Sequence, residues 1–184
     1  HMIVWGDRLV VDFGQGRGIY YSDPAGQLHP LSGWDTTANM LIWNDGNVNS
    51  LVVDFGKGRG IYAHDGNDWE KLTGWGDAGK MLVWDNRLVG DFDAGKGLYY
   101  FDAQTHWHQL AGWDSVVDMV AWDDGSARNL TVDFGLTRGI FNYNNGVWSK
   151  LSSWDSSSNM MAWNRNLVVE FGNERGLFYY DSSN

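Results

Sequence analysis

Four tryptophans carry the most suggestive chemistry in this sequence. Each of the four lies at a corner between a predicted strand and a short polar loop; Trp75, for example, follows the strand segment Trp69-Glu70-Lys71-Leu72. An indole ring can stack on the C–H face of a pyranose while aspartate and asparagine side chains hydrogen-bond to its hydroxyls. We therefore predict a sugar-binding set composed of Trp34, Asp35, Asn39, Trp75, Asp77, Trp113, Asp114, Asp118, Trp154, Asp155 and Asn159.

Packing between neighbouring sheets is the competing interpretation of these corner tryptophans. Two further columns of tryptophan recur in the sequence, and for both of them packing is the preferred interpretation because an indole is large enough to fill a wedge between sheets. The first column is Trp5, Trp43, Trp84, Trp122 and Trp163, and the second is Trp69, Trp107 and Trp148, with Leu28 in the corresponding place of the first copy.

Two charged columns also recur. In each copy a run that begins with leucine ends in Asp-Phe or Glu-Phe, so that an acid such as Asp54 or Asp133 recurs, and an arginine or lysine follows the acid five residues later, as in Arg59 and Arg138. An acid in an apolar strand is costly unless it is paired. We expect a repeated ion pair or hydrogen-bond network that holds the sheets together.

Catalysis finds little support in the pattern, because nearly every acid in a predicted strand has a counterpart in the other copies, whereas an active site needs groups in different environments. His106 and His108 could face one side of a strand as metal ligands, but they occur in one copy without supporting carboxylates. The Asn-Asp-Gly-Asn segment at 44–47 has the residue types of a calcium-binding loop, but it lacks the glutamate and the spacing of one. The sequence predicts no catalytic residue, no metal and no cofactor, so we do not expect an enzyme.

Composition narrows the partners. The net charge of −10 argues against nucleic acid or an anionic membrane surface. No apolar run has the length of a membrane span, and no signal-peptide pattern is present. The absence of cysteine excludes disulfides and thiol chemistry. The compartment stays open, since cytoplasmic and secreted proteins are both compatible with these features.

A repeated segment must position all of these residues. Met-x-x-Trp recurs about every 40 residues, at Met2, Met40, Met81, Met119 and Met160, and the alternating spacings make a pair of copies 79 residues long. Each copy reads as four short strands with a Gly-rich hairpin. This pattern predicts an all-β fold, a single five-bladed β-propeller with blades at approximately 2–39, 40–80, 81–118, 119–159 and 160–184.

The fifth copy lacks the outer Trp-x-x-Leu strand. Three explanations are open: a three-stranded last blade, a native protein that continues, or a neighbouring chain that supplies the strand. The third predicts a homo-oligomer through the incomplete fifth blade.

The order Trp, Leu-Val-x-Asp-Phe-Gly, Gly-Ile/Leu-Tyr and Trp-x-x-Leu-x-Gly-Trp resembles the blades of bacterial fucose-binding propeller lectins and, more loosely, tachylectin-type five-bladed propellers. The resemblance spans residues 2–181 and implies a non-enzymatic, multivalent lectin whose partners are glycans. The alternative is a propeller scaffold or protein-interaction module, such as an excised or engineered repeat fragment, without a small-molecule ligand.

Overall fold

The chain folds entirely from short antiparallel β-strands. The computed structural model describes residues 1–14, 16–34, 37–56, 58–75, 78–92, 95–102, 106–113, 116–135, 137–154, 157–172 and 175–181. Within these ranges the chain forms nineteen strands and no helix. β-branched and aromatic residues dominate the strands, which favours a pleated, half-buried surface.

The strands form five sheets in chain order. Blade 1 contains β1 (Met2–Trp5), β2 (Arg8–Asp12), β3 (Ile19–Ser22) and β4 (Leu28–Ser32). Blade 2 contains β5 (Asn39–Asn44), β6 (Asn49–Asp54), β7 (Ile61–His64) and β8 (Trp69–Thr73). Blade 3 contains β9 (Ala78–Trp84), β10 (Arg87–Phe92), β11 (Gly97–Phe101) and β12 (Trp107–Ala111). Blade 4 contains β13 (Asp118–Asp123), β14 (Arg128–Asp133), β15 (Ile140–Asn144) and β16 (Val147–Ser152). Blade 5 contains β17 (Ser157–Trp163), β18 (Asn166–Phe171) and β19 (Gly176–Tyr180).

Every neighbouring pair of strands within a sheet is antiparallel, so each blade is a simple meander with short hairpin connections. The sheets contain four, four, four, four and three strands among the described residues. The architecture is a five-bladed β-propeller with an incomplete last blade, which confirms the predicted fold.

One glycine position explains the hairpin between the second and third strands. Gly60 has a φ of +93°, and a Cβ at this position would collide with the Thr73 carbonyl of the outer strand. The register between the third and the outer strand shifts at the same place, between Ile61 and Tyr62. The Gly-rich turn of the sequence therefore serves both backbone geometry and strand packing.

The hydrophobic core lies between the blades. In the interface of blades 2 and 3, Trp43, Val52 and Ile61 of one sheet pack with Leu88 and Phe92 of the next. The other interfaces repeat this arrangement. We call the surface of a blade that contacts the next blade its trailing face, as formed here by Trp43, Val52 and Ile61. The opposite surface, formed here by Leu88 and Phe92, is the leading face.

Candidate functional site

The corner tryptophans pack against the following blade. Trp34 meets the rings of Phe55 and Tyr62 edge-on, at centroid distances of 5.0 and 5.2 Å. Trp154 meets Phe171 and Phe178 in the same way, at 5.1 and 5.0 Å. Trp75 and Trp113 make equivalent contacts in blades 3 and 4. These tryptophans therefore contribute to the interface between blades.

Part of each indole also remains accessible. Trp34 is 40% exposed and Trp154 is 43% exposed, whereas Trp75 and Trp113 are half-buried. An arginine side chain lies over three of these rings. The distance from the guanidinium carbon to the ring centroid is 5.4 Å for Arg59 and Trp34, 4.9 Å for Arg138 and Trp113, and 5.3 Å for Arg175 and Trp154. A guanidinium at this distance makes a cation–π contact. It also covers surface that a sugar ring would need.

The polar residues predicted for the same site lie in several places. Asp35, Asp77, Asp114 and Asp155 are outside the described residues. The Asn39 Nδ2 donates to the Ala78 carbonyl at 3.1 Å, and the Met160 N–H donates to Asp118 Oδ2 at 3.1 Å. Both bonds join the innermost strands of adjacent blades. Asn159 is exposed on β17. The structure thus uses Asn39 and Asp118 to hold blades together.

Three of the repeated acids, in blades 1, 2 and 4, form hydrogen bonds to backbone amides of their own hairpin and of the segment that leads into the next blade. Asp133 is fully buried; its Oδ1 accepts from the Gly135 N–H at 2.7 Å in its own hairpin. Its Oδ2 accepts from the N–H and the hydroxyl of Ser157, at 2.6 and 2.7 Å, in the next blade. Asp54 makes the matching contacts with Gly56 and Ala78. The predicted hydrogen-bond network is confirmed in blades 1, 2 and 4, with backbone amides and hydroxyls as the donors, whereas Glu170 of blade 5 is exposed.

The predicted ion pair is wrong in blade 4. Asp133 faces the next blade, where Ser157 lies, whereas Arg138 faces the previous one, where its guanidinium rests on Trp113. The two side chains lie five residues apart in sequence but on opposite sides of the sheet. Their closeness along the chain therefore does not place them in contact.

The other two tryptophan columns pack between blades as predicted, except at Trp163, where the prediction is wrong: this residue is 53% exposed and its ring contacts Tyr179 of its own blade. The Trp5 indole N–H donates to the Asn49 carbonyl at 2.8 Å, which lies in the next blade. On the outer strands, Trp69 donates backwards to the Leu31 carbonyl at 3.1 Å. Trp43, Trp84, Trp107 and Trp148 repeat one or the other of these two bonds. Trp122 differs, since it donates to Thr131 of its own blade at 2.9 Å.

Two histidines, His29 and His108, contact carboxylates of their own blades. The His108 Nε2 lies 2.6 Å from Asp102 Oδ2, and its ring stacks on Tyr100 at 4.8 Å. One pair of blades earlier, His29 repeats this arrangement with Asp23. In the described part of the chain, no group of three histidine, aspartate or glutamate side chains is placed to hold a metal ion. No helix in the described residues is long and apolar enough to cross a membrane.

A polar cavity between blades 3 and 4 was missed by sequence reasoning. It measures about 430 Å³ and contains Asp85, whose carboxylate lies 2.6 Å from Arg128 and 3.3 Å from Arg87. The Arg87 guanidinium lies over Trp84 and Tyr100, at 5.2 and 5.1 Å. The charged groups of this cavity therefore satisfy one another. The sequence signal that corresponds to this cavity is an arginine three residues after the inner-strand tryptophan. It occurs in two copies, as Arg8 after Trp5 and as Arg87 after Trp84.

An apolar groove lies between blades 4 and 5, beside β19, where the described residues of blade 5 form no fourth strand. It measures about 380 Å³, and its walls include Leu151, Trp154, Phe171, Phe178 and Tyr180. The missing Trp-x-x-Leu segment of the fifth copy is the sequence signal that corresponds to this groove.

Comparison with known proteins gives a likeness of fold. No protein-family model matches the chain, and no curated protein sequence matches it. A solved structure of BBS1N in complex with ARL6DN, soaked with mercury, is similar to the chain with a TM-score of 0.63 and 14% sequence identity. The match covers 97% of this chain and 62% of that chain. The matched protein is a β-propeller domain, so the comparison supports the propeller architecture.

Proposed function

We propose that this chain is a non-enzymatic scaffold that binds proteins through the open ends of its propeller. The observation that carries the proposal is the trailing face of blade 5. Leu177 is 64% exposed there, whereas the equivalent residues of the other blades, Ile19, Ile61, Leu98 and Ile140, are at most 1% exposed. Met161, Trp163 and Tyr179 are exposed beside Leu177. A contiguous apolar surface of this kind is typical of an interaction site.

The leading face of blade 1 is open in the same manner. Met2, Val4, Leu9 and Phe13 are exposed, although their counterparts in blade 2, such as Leu51 and Phe55, are buried. The four interfaces within the chain each pair a trailing face with a leading face. The simplest partner is therefore a second copy, whose leading face continues this repeated interface. Such a head-to-tail contact builds a ring or an open-ended assembly.

The similar protein supports an interaction role by analogy. BBS1N was solved in complex with ARL6DN, so a propeller of this fold binds a protein partner in that case. Because a fold hosts many functions, the exposed end faces carry the argument.

Sedimentation velocity with matched variants tests this proposal. Val147 is also 64% exposed, on the outer strand of blade 4 and away from both end faces. We expect the wild-type chain to self-associate with concentration, Leu177→Glu to remain a single chain, and Val147→Glu to behave as the wild type. A wild-type chain that stays single at every concentration, or equal behaviour of the two variants, would contradict the proposal.

Carbohydrate binding is a second proposal, favoured by the exposure of Trp34 and Trp154 beside polar loops. Several such corners on one chain would give avidity to weak single sites. A glycan array of the wild type, Trp34→Ala and Trp154→Ala tests it. Sugar binding that disappears in folded variants supports a lectin, and no binding to any glycan rejects it.

A further inference from the structure

The groove between blades 4 and 5 has a smaller counterpart in the same molecule, where an outer-strand tryptophan is present. Between blades 1 and 2, the corresponding space is lined by Leu31, Trp34, Phe55, Tyr62 and the outer-strand tryptophan Trp69. It measures about 210 Å³, against about 380 Å³ for the groove of blade 5. The groove is therefore the place that an outer-strand tryptophan occupies in the complete blades.

Blade 4 shows the contacts that such a tryptophan makes. The Trp148 ring lies 4.9 Å from Tyr143 and 5.7 Å from Phe134, and its indole N–H donates to the Leu110 carbonyl at 3.0 Å. The groove presents the same three partners one blade later, namely Tyr180, Phe171 and Leu151. An indole placed there would find two aromatic walls and one carbonyl acceptor.

Strand β19 provides an edge for the strand that carries this tryptophan. In blade 4, Trp148 pairs with Tyr143 of β15, and a register shift follows at Ile140. A Cβ on the hairpin residue Gly139 would collide with the Ser152 carbonyl of the outer strand. At the equivalent Gly176, a Cβ meets nothing within 4 Å. The space that an outer-strand carbonyl occupies in blade 4 is therefore open beside β19.

A lysine in the outer strand completes the pattern. Lys71 and Lys150, two residues after the outer-strand tryptophans, place their ammonium groups 5.5 Å from the rings of Tyr62 and Phe141. Phe178 stands at the corresponding position of blade 5. A cation over this ring is favoured further by the net charge of −10 on the chain.

We infer that the groove binds an extended Trp-x-Lys-Leu segment of a partner protein, which adds to blade 5 as its fourth strand, antiparallel to β19. The tryptophan fills the groove and donates to the Leu151 carbonyl, the lysine covers Phe178, and the backbone pairs with the edge of β19. This is strand addition to an exposed sheet edge, with a side-chain pocket for specificity. The inference rests on the proposed interaction role, but it uses a different surface from the trailing face of blade 5.

A peptide taken from the chain itself provides the probe. A fluorescently labelled peptide with the sequence of residues 146–153 contains Trp148, Lys150 and Leu151. We expect it to bind the intact chain in a fluorescence anisotropy titration, and we expect the matched Trp148→Ala peptide to bind at least about tenfold more weakly, since a buried aromatic anchor dominates such contacts. No binding of the first peptide, or equal binding of the two, would overturn the inference.

Two matched variants of the protein locate the site. Gly176 and Gly146 have similar positive φ values, 87° and 83°, and a Cβ at either position meets nothing within 4 Å. Asparagine is tolerated in this conformation. We expect Gly176→Asn to weaken peptide binding at least about tenfold, because its side chain meets the incoming strand, and Gly146→Asn to leave binding unchanged. Circular dichroism melts verify that both variants fold, and equal binding by the two folded variants would refute the site.

The same titration separates this inference from self-association. Met161→Glu changes the trailing face on β17, away from the edge of β19, so we expect that variant to lose self-association and to keep its affinity for the peptide. Self-association without peptide binding refutes the groove alone, and peptide binding by a chain that never self-associates refutes the second-copy partner alone.

Discussion

Replacing one buried carboxylate tests how the blades are held together. Asp133 accepts three hydrogen bonds while fully buried, and two of them come from Ser157 in the next blade. In Asp133→Asn one acceptor becomes an N–H₂ donor. If the remaining oxygen keeps Gly135, the new donor faces the Ser157 N–H, which is then buried without an acceptor.

The expected cost follows from these contacts. A hydrogen bond to a charged group contributes about 1.5–3 kcal/mol, and a buried donor without a partner costs about 1–3 kcal/mol. The serine hydroxyl can rotate to accept from the new amide, which recovers part of the loss. We therefore expect Asp133→Asn to lower the free energy of unfolding by about 2–4 kcal/mol, measured by urea denaturation.

Two control variants separate this account from an ion pair. Glu170 occupies the equivalent position in blade 5 but is exposed, so Glu170→Gln should change the free energy of unfolding by less than about 0.5 kcal/mol. Arg138 rests on Trp113, so Arg138→Met should cost about 0.5–1 kcal/mol. If Arg138→Met costs as much as Asp133→Asn, or if Asp133→Asn costs as little as Glu170→Gln, the amide network is not what holds this interface.

Two further predictions concern pH and the hairpin glycines. Burial between Trp5 and Trp69 lowers the pKa of His64 below its ordinary value of 6.5. Above pH 6.5, His64 is neutral in both the folded and the unfolded chain, so its titration does not affect stability. As the pH falls below about 6.5, the unfolded chain takes up the proton first, and this uptake favours unfolding. The wild type should therefore lose stability relative to His64→Gln below about pH 6.5. Urea denaturation of both proteins at pH 7.5 and 5.5 checks this, and a relative gain at the lower pH would contradict it. Gly60→Ala should be destabilised by at least about 2 kcal/mol more than Gly176→Ala, because its Cβ alone meets an outer-strand carbonyl, and equal thermal stability of the two variants would exclude that reason.

The sequence predicted the repeated architecture well because the period of its strands is recorded in residue types. Met-x-x-Trp marks the inner strand of each blade, and the outer-strand tryptophans mark the outer edges. Apart from the exposed Trp163, the packing of both tryptophan columns follows from their size. The incomplete fifth blade was equally visible, since the Trp-x-x-Leu segment is absent from the last copy.

Contacts between blades were harder to predict. Asp133 accepts a hydrogen bond from Ser157, which is 24 residues away, and Arg138 contacts the Trp113 ring on the other side of the sheet. The alternation of residues along a strand shows which side chains share a face of the sheet, but it does not show which residues of the adjacent blade lie opposite that face. For the same reason the sequence indicated an indole beside polar residues at the corners without showing the arginine that lies over it.

Native mass spectrometry of the chain, recorded with and without a mixture of soluble glycans, tests the central claim that the exposed ends of the propeller bind protein. The account predicts masses that are multiples of the single chain, unchanged by glycans and reduced to one chain by Leu177→Glu. A single-chain mass for the wild type, above all one that gains glycan adducts dependent on Trp34 or Trp154, would contradict it.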